Sequence, residues 1–205
     1  AKKALQPILK KEDFFLWFAG NHLGVLPVYE ELTPNDVVIQ FDAHLDIYNL
    51  RIHATEPNHG NFLLSLGENR PAIINIGHRD LFLKDDAVSA YFLGTFSALE
   101  VQRDKKGVLK QVEKLCKKKD RIVFDLDCDV LDPSYFPAVA YPLPFGLTSS
   151  QMLNCINSLW SKKVCGLCIS EFVPGRDQRE ISQNTLVWLI EWILLRIHEE
   201  RGINK

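Results

Sequence analysis

Aspartates and histidines alternate with other residues at two places in the chain, Asp42-Ala43-His44-Leu45-Asp46 and Asp127-Cys128-Asp129. In an extended segment alternate residues point the same way, so Asp42, His44 and Asp46 can share a direction, as can Asp127 and Asp129. A third polar group, Gly20-Asn21-His22, follows the apolar run that begins at Phe14. No Lys or Arg is interleaved among these acids. Such a cluster repels itself unless it takes up protons or holds a metal. Oxygen and imidazole donors without thiolate favour Mn(II) or a similarly hard divalent ion over a structural zinc.

The elements that must position these groups are legible as short apolar runs. Phe14–Ala19, Val37–Phe41, Ala72–Gly77, Arg121–Leu126 and Val164–Ser170 read as buried strands. Helical patterns fall at Val25–Leu32, Phe62–Leu66, Gly107–Lys119, Ser149–Ser161 and Glu180–Arg201. The third is strongly amphipathic, and Ser149 is a candidate N-cap for the fourth. Strand alternating with helix predicts an α/β fold of three layers, doubly wound, with a mainly parallel sheet and helices on both faces. With no repeat and no shift in composition, residues 1–205 are expected to form a single domain. Ligands in such sheets bind beyond the carboxyl ends of the strands, which is where the acidic motifs stand.

Composition excludes several classes of function. The chain has 205 residues, 46% hydrophobic and 24% charged, with no low-complexity tract, so it can bury a core without disulfide or metal staples. Its net charge of -2 offers no global field for nucleic acid or an anionic membrane. Five cysteines follow no disulfide framework, and the N-terminal AKKALQPILKK has no apolar signal region, so a cytoplasmic protein is expected. The apolar stretch 186–197 is too short to span a bilayer and contains Glu191. Cys165-x-x-Cys168 lies in a buried strand without a second pair and reads as structural. His53, His78 and His198 have no partner pattern, although His78 could reach the edge of the site. Lys117, Lys118 and Lys119 end a helix, where positive charge suits the dipole.

The acidic motifs, together with Gly20-Asn21-His22 and Glu171-Phe172-Val173-Pro174, resemble the signatures of the ureohydrolase family, which includes arginase, agmatinase and formiminoglutamase. The resemblance implies an arginase-like fold, shortened at the N-terminus, in the arginase–deacetylase superfamily. It implies that His22, Asp42, His44, Asp46, Asp127 and Asp129 hold two Mn(II) ions sharing a hydroxide that cleaves a C–N bond. Under the same resemblance Asp46 or Asp129 accepts a proton, His59 of Asn58-His59-Gly60 returns one to the leaving amine, and Glu171 pairs with a cationic guanidinium. The implied partner is a small-molecule substrate, and a homo-oligomer is possible. An amide hydrolase of the deacetylase type and a non-catalytic metal-binding relative are the alternatives.

Three departures bear on the substrate. Where arginases carry small polar residues, this chain reads Ile47-Tyr48-Asn49-Leu50. In Gly77-His78-Arg79-Asp80-Leu81-Phe82, Phe82 stands where arginases have an acid for the substrate's α-amino group. Pro137-Ala138-Val139-Ala140-Tyr141-Pro142 brings a bulky Tyr141 to the expected entrance. A guanidino or amidino compound other than free arginine is the expected substrate.

Overall fold

A computed structural model describes residues 6–7, 14–48 and 56–201. Asn49, Leu50, His53 and most of the N-terminal stretch discussed above lie outside the described residues. The strands are β1 (Phe15–Phe18), β2 (Val37–Phe41), β3 (Ala72–His78), β4 (Gly94–Ser97), β5 (Ile122–Asp127) and β6 (Val164–Ser170). They form one sheet in the order β1-β6-β5-β2-β3-β4, with every pairing parallel. From β2 the chain steps outward to β3 and β4, then returns to place β5 on the other side of β2. The β2/β5 seam is therefore the topological switch point, where loops diverge and leave a crevice at the carboxyl ends.

Parallel strands covered on both faces must be apolar throughout, and β2 and β5 are buried along their whole lengths. One face, including Val37, Ile39, Phe41, Phe124 and Leu126, packs against three long helices: α3 (Ala98–Cys116), α4 (Ser149–Leu159) and α5 (Ile181–Arg201). The other, including Val38, Ile73, Val123 and Cys168, lies under Val25, Val28, Tyr29, Phe62 and Leu63. Two covered faces make the three layers expected. Among the described residues no helix is long and apolar enough to cross a membrane.

Several local expectations need correction. The helix expected at 25–32 is a 3-10 turn, His22–Val25, followed by the single-turn α1 (Leu26–Tyr29), and that at 62–66 is a 3-10 turn, Phe62–Ser65. Strand β4 and helix α2 (Asp85–Tyr91) were not expected: β4 has one buried residue, Phe96, and α2 has none. Helix α3 starts at Ala98, where Ser97 and Glu100 form a capping box. Asp104 leaves helical geometry, and its Oδ1 accepts from Gly107 N at 2.9 Å, so the amphipathic stretch restarts there. The N-cap of α4 is Thr148 rather than Ser149; its hydroxyl accepts from Gln151 N at 3.0 Å, and Gln151 Oε1 accepts from Thr148 N.

Candidate metal centre

Register explains why the acids meet. Gln40 pairs with Asp125 and Phe41 with Leu126, so the next residues, Asp42 and Asp127, emerge side by side at the β2/β5 seam. Beneath them on the same face runs the row Asn75, Gln40, Asp125, Cys168, and beneath that Ile73, Val38, Val123, Gly166. Polarity thus rises from an apolar floor through a mixed row of amides, Asp125 and a thiol to the acids above.

The loop after β2 folds back on its own first carboxylate: Asp42 Oδ1 accepts from His44 N at 2.7 Å, and Asp46 takes a left-handed φ of 48°. After β5 a 3-10 turn forms, in which Asp127 Oδ1 accepts from Asp129 N at 3.0 Å and Asp129 Oδ1 from Ala43 N at 3.2 Å. Arg79 fastens the surroundings, its guanidinium donating to the carbonyls of Asp129 at 2.6 Å, Val130 at 3.0 Å and Leu143 at 3.2 Å. The cation absent from the acidic motifs is therefore nearby, but it is spent on backbone oxygens. After β1, the turn Gly20-Asn21 leads into His22, whose N–H donates to Glu171 Oε1 at 2.9 Å. Glu171, just past β6, is itself left-handed at φ 61°.

His22 Nδ1 lies 3.1 Å from Asp42 Oδ2, 2.8 Å from Asp46 Oδ2 and 3.2 Å from Asp127 Oδ2. His44 Nδ1 lies 3.0 Å from Asp129 Oδ2 and 3.7 Å from Asp42 Oδ1. Two groups of donor atoms result, His22/Asp42/Asp127 and Asp42/His44/Asp129, each within 4.8 Å and sharing Asp42. Asp46 is in neither group but stands beside the first, its Oδ2 2.8 Å from His22 Nδ1. Neither group contains a cysteine; Cys168 is buried beneath, and the thiol of Cys165 reaches the Ile122 carbonyl at 3.5 Å.

Burial without compensation distorts the acid–base equilibria. Burial and the neighbouring Asp46 push Asp42 from 3.8 up to about 7, and burial with Asp129 pushes Asp127 well above the usual carboxylate range. Burial also raises Asp46. Burial alone would lower both histidines, but Asp125 and Asp42 hold His22 well above 6.5, and Asp129 raises His44 to about 9. Asp129, desolvated but hydrogen-bonded by His44, is lowered instead. Two fully buried polar atoms, His22 Nδ1 and Asp42 Oδ2, face each other with no aligned hydrogen bond. Lone pairs converging without donors are what a divalent cation satisfies, and these oxygen and imidazole donors fit such ions.

Above the cluster opens a cavity of about 350 Å³, lined at its base by His22, His44, Asp46, Asp127, Asp129 and Glu171. Its walls include Tyr48, His59, Tyr141 and Leu143. Asn58 Oδ1 accepts from Gly60 N at 2.9 Å and holds the His59 turn, and the His59 ring stacks on Tyr141 at 5.3 Å between centroids. The Tyr48 hydroxyl donates to Asp80 Oδ2 at 2.5 Å. All the expected site residues thus line or border one cavity. Phe82 does not: it is 90% exposed, outside the lining. His78 likewise stays outside it. Asp125, Tyr29, Gln40 and Asn75 form a polar layer under the site for which no role was expected, although Asp125 continues the alternation of Asp127 and Asp129.

The model of the Arginase family matches residues 1–195. An agmatinase from Klebsiella pneumoniae is 28% identical over 176 residues, covering 82% of this chain and 54% of its own length. The chain thus spans about half the length of such curated relatives. The agmatine ureohydrolase of Thermoplasma volcanium superposes with a TM-score of 0.77 at 26% identity, covering 93% of this chain and 64% of that one. The arginase from Bacillus subtilis, at 20% identity, shares the fold with a TM-score of 0.79 over 93% of this chain and 75% of its own. A seam of buried acids at the switch point of a parallel sheet, and a family match over nearly the whole sequence, show that this chain belongs to the arginase family.

Proposed function

We propose that the chain is a binuclear metallohydrolase of the ureohydrolase type, cleaving a C–N bond in a small guanidino or amidino compound other than free arginine. The observation that carries this reading is that five of the six candidate ligands, His22, His44, Asp46, Asp127 and Asp129, line one cavity together with His59 and Glu171, while the sixth, Asp42, is buried against His22 and His44. The agmatinase and agmatine ureohydrolase relatives support it. Two divalent ions, Mn(II) in this reading, would supply Lewis acidity and activate water at neutral pH.

The rest falls to side chains. Glu171 is 6% exposed and anchored by the His22 N–H, so its carboxylate can pair with a cationic guanidinium away from bulk water. Asp46 or Asp129 holds the proton that water gives up at a carboxylate oxygen. His59 delivers a proton to the departing amine nitrogen, so hydrolysis of a guanidinium ends in urea and free amine. Tyr48 is engaged with Asp80, and Tyr141 and Leu143 offer apolar surface, so the walls do not match an amino acid's charged end. The five free thiols suit a reducing compartment, and the cytoplasm is the proposed location.

Metal-stripped protein reloaded with Mn(II) should bind two ions and release urea or ammonia from guanidino or amidino compounds that lack the α-carboxylate of an amino acid at least ~10²-fold faster than from L-arginine, whose carboxylate would be desolvated unpaired. Elemental analysis and a urea and ammonia screen measure both. One zinc bound by Cys165 and Cys168 would overturn the reading. Two ions with no turnover of any guanidine, amidine or acylated amine would favour a non-catalytic relative.

A further inference from the structure

The two ring nitrogens of His22 face opposite surroundings. Nδ1 is turned to Asp42, Asp46 and Asp127, whereas Nε2 points into the polar layer below, 3.0 Å from Asp125 Oδ2. The hydroxyl of Tyr29 donates to that same oxygen at 2.7 Å. Asp125 and Tyr29 are fully buried, and His22 is 1% exposed. A carboxylate oxygen that already accepts from the Tyr29 hydroxyl can only accept from His22, which keeps the hydrogen of the neutral imidazole on Nε2 and makes Nδ1 the nitrogen that gives up its proton to become a ligand. Gln40 Nε2 could donate to Nε2 and select the opposite tautomer, but it stands farther off, at 3.5 Å. Its own oxygen is approached by Asn75 Nδ2 at 3.5 Å. In the same cross-strand row the neighbours Asn75, Gln40 and Cys168 are neutral types, and Asp125 alone is an acid.

We propose that Asp125, held by Tyr29, is a positioning residue of the metal centre: it fixes the Nε2–H tautomer of His22 and so sets the affinity of the ion on the His22 side. This rests on the metal-centre reading above. An acceptor carboxylate behind a ligating imidazole orients the ring and makes its other nitrogen more basic, an effect worth about 10–100-fold in metal affinity. His44 meets Asp129 and Asp42 through Nδ1, and Asp125 is not among its ring's partners, so the ion beside His44 is expected to depend on Asp125 far less.

The test is a Mn(II) titration of the metal-stripped full chain by calorimetry, with electron paramagnetic resonance reporting whether bound ions are spin-coupled. Wild type should take up two ions and give a coupled spectrum. Asp125→Asn, which preserves shape, should weaken one ion by about 10–100-fold and leave the other unchanged, so that near stoichiometry the spectrum is that of single, uncoupled Mn(II). Tyr29→Phe should weaken the same ion by less. Two ions at wild-type affinity in Asp125→Asn would overturn the proposal and leave the metal centre standing, whereas no Mn(II) uptake by wild type would overturn both. Equal weakening of both ions, with a lower melting temperature of the metal-free protein, would assign Asp125 to packing and overturn it too. Should Asp125→Asn fail to fold, Tyr29→Phe decides, and wild-type binding there refutes the proposal.

Discussion

His59 and Glu171 share the cavity with the acids but stand outside both groups of converging donor atoms. Replacing either should therefore leave metal content and melting close to wild type while changing turnover in distinguishable ways. His59→Ala should lower kcat by ~10²–10⁴, as loss of a proton donor does. Glu171→Gln should instead raise KM for cationic substrates, since it removes binding charge and keeps the acceptor of the His22 N–H. Steady-state kinetics with metal analysis would check both, and two variants kinetically like wild type would refute the proposed roles. The acids were legible because their motifs follow buried strands and resemble the family signatures, and His59 because of its Asn-His-Gly context; the extended alternation expected of them holds only where β5 carries Asp125 and Asp127, since His44 and Asp46 lie in a loop and Asp129 in a 3-10 turn. Asp125 was not, because nothing local separates an acid that faces the cavity from one that faces an imidazole from below. That distinction depends on Tyr29 and His22, both brought in from the β1–β2 connection.

At the scale of elements, the sheet must deliver the loops after β2, β3 and β5 in close register. Gly77, near the end of β3, has φ +110°, and a Cβ there would lie 2.4 Å from Val130 Cγ2 and 3.7 Å from the Asp42 carbonyl. Gly77→Ala is thus both conformationally strained and obstructed by a stiff β-branched side chain in the turn that carries Asp129. It should cost ~1–3 kcal/mol, lowering the melting temperature by roughly 3–10 °C. It should also weaken Mn(II) binding, because Arg79 grips the carbonyls of Gly77, Asp129 and Val130. Wild-type melting would show that the close approach imposes no constraint. Elements were legible in proportion to how much apolar surface they bury. Val37–Phe41 and Val164–Ser170 are found where their mainly apolar, buried runs stand, whereas β4 buries little and runs directly into α3. The kink at Asp104 hid the first part of α3, since the apolar pattern is out of phase across a non-helical residue.

For the molecule as a whole, the buried acids make stability and metal binding respond oppositely to pH. A carboxyl whose folded pKa is raised favours folding most below its ordinary value, 3.8, and loses that advantage as pH climbs through the folded value, about 7 for Asp42. His44, raised from 6.5 to about 9, contributes fully below 6.5 and progressively less as pH rises through about 9. His22 is raised in the same sense. Asp129 is lowered, so its contribution changes only below 3.8, outside this range. The raised groups of the cluster therefore destabilise the metal-free protein as pH increases, whereas His78, lowered by burial, acts the other way only below its ordinary 6.5. Metal binding runs the other way, because carboxylates and imidazoles must give up their protons to become ligands. Melting temperatures of stripped protein should fall between about pH 6 and pH 9, while in excess Mn(II) they should hold or rise, so that the gap between the two curves widens. Thermal melts with and without chelator across that range provide the measurement. A gap that stays constant with pH would mean that metal binding displaces no protons from these groups, and that the acids at the β2/β5 seam are not its ligands.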